Sequence, residues 1–100
     1  MVQFVSYEKA IAISRREPVV FAEVFADNDR YCSLEVHVEV PHEGRMREVE
    51  RNDTGPISHD EVQALVVRTA NRYQANFATI CAAQANWPPS SDAGGNRQRS

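Results

Sequence analysis

Residues 31–40 alternate strictly between polar and apolar side chains, and residues 19–26 are dense in valine and phenylalanine, so each stretch predicts a β-strand. Asp27-Asn28-Asp29 between them is a turn signal, which makes the pair a hairpin. Paired residues must share a face, and this selects the register. A three-residue loop sets Val24 against Cys32, Ala22 against Leu34 and Val20 against Val36 on one face. On the other it sets Phe25 against Tyr31, Glu23 against Ser33 and Phe21 against Glu35. A two-residue loop would pair apolar with polar throughout. The expectation is therefore the three-residue loop, with Asn28 or Asp29 in the left-handed conformation.

A third strand is expected over residues 45–51, entered through Pro41-His42-Glu43-Gly44, and its many charges mark it as a sheet edge. That loop puts Val49 beside Val36 on the buried face. It also leaves Glu39 opposite Met46, His37 opposite Glu48 and Glu35 opposite Glu50. Ser6 can cap a helix over residues 7–16, which Pro18 ends. Val2, Phe4 and Val5 fit a short strand or a staple onto that helix equally well.

The clearest helical signal starts at the capping box Ser58-His59-Asp60-Glu61. Val62, Leu65, Val66, Thr69, Tyr73, Phe77, Ile80 and Cys81 then follow mostly at spacings of three and four. An unbroken helix over residues 58–86 would be about 42 Å long, against about 27 Å for an eight-residue strand. Its overhang, with a second, mostly small stripe of Val67, Asn71, Ala75, Ala78, Ala82 and Ala85, suits a kink near residues 69–72, packing against the first helix, or a homodimer. Both helices are expected on the Cys32, Leu34 and Val36 side. The expected fold is thus α+β, an αβββα two-layer sandwich: a three-stranded antiparallel meander with a long C-terminal helix packed on one face.

The single domain is placed at residues 1–86. Residues 87–100, from Trp87-Pro88-Pro89 into Ser, Gly, Asn and Arg, read as a disordered polar tail in which Trp87 is placed to fold back onto the body. Apolar residues at 42% and charged residues at 25% suit a soluble globular protein, with no run long enough to span a membrane and no basic signal-peptide start. The expected location is cytoplasmic. Cys32 and Cys81 are far apart, outside any CxxC arrangement, and read as free buried thiols.

Charge is unevenly spread: residues 1–50 carry six basic and ten acidic side chains, so the acidity of this −3 chain belongs to its first half. Much of it falls on the outer sheet face, where Phe21, Phe25 and Tyr31 border Glu23, Glu35, His37, Glu39, Glu48 and Glu50. An aromatic patch edged with carboxylates suits a protein partner, basic in character, or a second copy of the chain. Phosphate-cradling and HExxH motifs are absent, and no catalytic residue or cofactor is assigned. Residues 58–63 are acidic where a double-stranded RNA-binding domain of the same element order would place lysines, so nucleic acid is not favoured. The expectation is a non-enzymatic interaction module, a small regulator, inhibitor or adaptor. Its partner-binding residues are Phe21, Glu23, Phe25, Tyr31, Glu35, His37, Glu39 and Glu48. The competing reading is a metal- or small-ligand-binding enzyme on the Glu35, His37, Glu39 and Glu48 face, where carboxylate and imidazole alternate along one strand.

Overall fold

The computed structural model describes residues 1–82; the expected tail lies outside the described residues. Its elements are β1 (Gln3–Phe4), α1 (Tyr7–Ile13), β2 (Val19–Ala26), β3 (Tyr31–His42), β4 (Arg45–Ser58), a 3-10 turn (His59–Glu61), α2 (Val62–Arg72) and β5 (Phe77–Ala82). They form an α+β fold with one five-stranded sheet in the order β1-β5-β2-β3-β4. The meander β2-β3-β4 is antiparallel, while β5 runs parallel to both β2 and β1. Residues 2–5 thus supply a strand, the short β1.

The long C-terminal helix is not there. α2 has eleven residues, and the second half of the expected stripe is β5. The helix starts as its sequence predicts, with the Glu61 carboxylate accepting from the Ser58 N–H at 3.1 Å. It ends at Gln74, whose φ is +55°. The Ala75 N–H reaches back to the Ala70 carbonyl at 2.8 Å and the Gln74 N–H to Asn71 at 3.3 Å. This is a Schellman stop, closed by the buried pair Ala70 and Ala75. β5 escapes a period-two reading because it lies between two parallel neighbours and is largely apolar on both sides: Ala78 and Ile80 face the main core, and Phe77, the buried Thr79 and Cys81 the other side. No described helix overhangs the sheet, so the expected helix-mediated dimer loses its basis. No described helix is long and apolar enough to cross a membrane.

The helices also lie on opposite faces. Val62, Val66 and Ala70 of α2 pack on Val20, Ala22, Val24, Leu34, Val36 and Val38. Ala10 and Ile13 of α1 instead form a second, smaller core with Val19, Phe21 and Phe77 on the other face. The expected placement of both helices on one side, and with it the two-layer sandwich, is corrected by this division. A β2 strand with neighbours on both edges has two faces to bury, and one helix covers only one.

Hairpin registers differ from expectation in an instructive way. β2 pairs β3 with Val24 opposite Leu34 and Ala26 opposite Cys32, two residues away from the expected register. An even slip keeps every side chain on its face, which is why the inside and outside of β2 and β3 read correctly. The turn is wider and has no left-handed residue at Asn28 or Asp29. The Asn28 Oδ1 atom accepts from the N–H groups of Arg30 and Tyr31 at 2.8 and 2.9 Å, replacing the tighter loop. Between β3 and β4 the expected four-residue loop is a two-residue turn, Glu43-Gly44, with φ of +52° and +76°. β4 runs on to Ser58, absorbing Asn52–Pro56, with irregularities near Val49 and Gly55. It is the sheet edge, as its charge predicts.

Among the described residues, Glu43 and Gln74 therefore hold left-handed backbone that glycine or asparagine adopts more cheaply. Gln74→Gly and Glu43→Asn are each expected to raise the unfolding free energy by about 0.5–1 kcal/mol in urea denaturation. Gln74→Val should lower it.

Candidate functional site

α1 covers only part of the sheet face opposite α2. It lies over Val19 and Phe21 and leaves Glu23, Phe25 and Tyr31 exposed beyond its N-terminus. At the step between helix and bare sheet is a groove of about 330 Å³ lined by Tyr7, Phe21, Glu23, Glu35, His37 and Cys81. Its floor is aromatic. The Phe21 ring stacks on His37 with centroids 5.1 Å apart and planes within 5°, and Tyr7 meets Phe21 edge-on at 5.8 Å.

The eight residues expected to bind a partner divide on this geometry. Glu23, Phe25 and Tyr31 are exposed, and Glu35 and His37 are half-buried at the groove. Phe21 is 3% exposed and Glu39 6%, so neither offers a surface as expected: Phe21 is groove floor and Glu39 is interior. Glu48 is exposed but sits opposite Glu39, and it is Arg51 that faces His37. Val49, expected in the core, is the extra residue of a bulge and is exposed. That bulge also turns Glu50 to the α2 side, away from the acidic cluster expected to contain it. There Glu50 accepts from Arg72 at 2.8 Å, and from Tyr73.

Arg51 is the residue the sequence reading missed. Its guanidinium donates to Glu48 through Nε at 3.1 Å and Nη2 at 2.7 Å, and reaches Glu35 through Nη1 at 2.8 Å. This fork joins two carboxylates that would otherwise repel. Tyr7 and Cys81 were also missed as groove residues, because the first read as helix core and the second as part of α2. Cys32 is a fully buried thiol, whereas Cys81 is only partly buried.

The cross-strand pair Glu39 and Glu48 titrates in opposite directions. Burial and the Glu48 charge push the Glu39 carboxyl up, while the hydrogen bonds from Arg51 hold Glu48 down. The His37 imidazole, 3.2 Å from Glu39, is pushed down by burial and by Arg51, against the pull of Glu48, Glu35 and Glu23. With His37 favoured neutral, the contact is an N–H donated to a carboxylate rather than a full ion pair.

Donor atoms of His37, Glu39 and Glu48 lie within 4.8 Å of one another, a set able to ligate a divalent cation. The larger groove of the opposite face, about 530 Å³ between α2 and β4, is lined by Asn52, Thr54, Arg68 and Arg72, and its Arg72 is paired with Glu50. No family model, curated protein or solved structure matches this chain.

Linkage fixes the sign of two substitutions. Glu39 has a raised pKa, so its contribution favours folding at low pH and is lost as pH rises through its folded value. Glu39→Gln should therefore gain stability relative to wild type between acid and neutral pH. Glu48 has a lowered pKa, so its contribution is present above the ordinary carboxylate range and lost as pH falls through it. Arg51→Gln should destabilise at neutral pH, and its gap from wild type should narrow on acidification. Urea midpoints taken across that range check both.

Proposed function

We propose that the open part of the α1-side face binds a basic segment of a partner protein, with an arginine or lysine of that segment entering the groove between Glu23 and Glu35. The carrying observation is the register: Glu23 lies directly opposite Glu35 in the β2–β3 pair. Like charges in that position cost stability. Arg51 offsets the charge on Glu35, but Glu23 makes no ion pair among the described residues. A cation delivered from outside relieves the repulsion and meets the half-buried His37 ring and the exposed Tyr7 ring lining the groove, aromatic surfaces that suit a guanidinium. Exposed Phe25 and Tyr31, 42% and 47% accessible, supply apolar contact beside it. The role is that of a regulator, inhibitor or adaptor, and the groove asks for no reaction chemistry.

A labelled arginine-rich peptide followed by fluorescence anisotropy tests this. Binding should weaken steeply with salt, since it rests on exposed charge. Glu23→Lys should weaken it about tenfold or more, equivalent to about 1.4 kcal/mol. The peptide should also slow thiol labelling of Cys81, which lines the groove. Equal affinity of wild type and Glu23→Lys at low salt overturns the proposal.

A second reading places a divalent cation on His37, Glu39 and Glu48, and the convergence of their donor atoms favours it. Arg51 works against it, because its fork already occupies both oxygens of Glu48. Under this reading Zn²⁺ or Mn²⁺ raises the melting temperature of wild type and leaves His37→Ala unmoved. An equal response of the two proteins removes it.

A further inference from the structure

β5 delivers the chain to the edge of this same face. Its last residues, Cys81 and Ala82, lie beside Glu23 and Val24, and Cys81 itself lines the groove. Residues 83–100 continue from there, outside the described residues, and contain the chain's single tryptophan, Trp87, five positions on. Five extended residues reach about 17 Å, whereas the strand spacing from β5 across β2 to β3 is only about 10 Å. Trp87 can therefore reach both Phe25 and Tyr31.

Charge agrees with the geometry. Residues 83–100 hold Arg97 and Arg99 against one acid, Asp92, while the body they leave carries the net negative charge of the chain. An indole suits a surface of two exposed aromatic rings, and Pro88-Pro89 after it restricts the backbone, which lowers the ordering cost of docking.

We propose that residues 83–100 are an intramolecular occupant of the acidic aromatic face: Trp87 seats against Phe25 and Tyr31, and the docked arm competes with the basic partner. This rests on the reading of that face as a binding site for basic segments, and it adds the regulation of that site. A tethered competitor needs little intrinsic affinity, because a short linker supplies a high effective concentration. If the arm covers the face between about two thirds and nine tenths of the time, a partner binds about three- to tenfold more weakly than to the bare face.

The 100-residue chain allows a direct test, because Trp87 is its only tryptophan. Acrylamide quenching of Trp87 should be weaker in the folded protein than in urea. It should rise in Phe25→Ser/Tyr31→Ser, a surface double substitution that leaves both cores intact. Trp87→Ala should bind the arginine-rich peptide about three- to tenfold more tightly than wild type. Quenching equal to that in urea, or shielding that the double substitution does not relieve, overturns the arm, and peptide binding lost only in Glu23→Lys would leave the binding face standing. Shielding that fades on dilution overturns it in favour of a second copy as the occupant. If Trp87 is released by the double substitution but no variant binds the peptide, the basic-partner reading fails and the competitive role falls with it.

Discussion

Between Ala70 and Ala75 the chain stops being a helix and returns to the sheet, and the rest of the molecule depends on that reversal. The left-handed Gln74 and the back-bond from Ala75 to Ala70 turn residues 77–82 into a strand rather than two more helical turns. That strand pairs with β2 on one edge and β1 on the other, so β2 becomes internal. An internal strand has two faces to cover. α2, only eleven residues long, covers one, and α1 is drawn to the other, where Ala10 and Ile13 meet Val19 and Phe21. The helix stop therefore decides where α1 lies, and α1 decides which part of the outer face stays bare.

A second constraint acts at the opposite edge. The bulge at Val49 separates the charges of β4 into two groups that serve different faces. On one side Glu50 meets Arg72 and Tyr73 and ties the edge strand to the end of α2. On the other Arg51 bridges Glu35 and Glu48, next to the buried Glu39. Without the extra residue, Glu50 and Arg51 would exchange faces. The outer cluster would then be wholly acidic, and Glu35, Glu39 and Glu48 would repel one another with no guanidinium between them. One inserted residue thus sets a cation among these carboxylates, and among the described residues it leaves Glu23 as the carboxylate of this face outside any ion pair.

How much of this the sequence discloses follows from the periods involved. β2 and β3 are legible because their composition and alternation agree, and the two-residue error in their register is invisible to a test that depends on parity alone. α2 is legible at its start, where Ser58 and Glu61 have specific chemistry, and illegible at its end, where the stop uses glutamine in place of glycine. β5 reads as helix because Tyr73, Phe77, Ile80 and Cys81 happen to repeat at spacings of three and four. A strand buried on both faces supplies no alternation to contradict them. The site suffers from the same causes. Glu23, Phe25, Tyr31 and Glu35 depend only on the parity of β2 and β3, and they lie on the outer sheet face where that parity puts them. Arg51 depends on a bulge, and Cys81 on β5, neither of which leaves a mark in residue order. Phe21 and Glu39 have the expected parity but lie where α1 and the neighbouring strands exclude water.

These two constraints meet at the groove. α1 buries Phe21 but stops short of Glu23, so the aromatic floor passes beneath the helix N-terminus and emerges where that carboxylate stands. A fold selected for stability alone would do better with a lysine or threonine in place of Glu23, since a direct like-charge pair next to exposed aromatic rings costs stability twice. Both costs fall in one place, and both are relieved by one kind of contact, a cationic side chain with apolar neighbours. That coincidence is the physical ground on which the proposed reading of the bare part of the sheet as a binding surface rests.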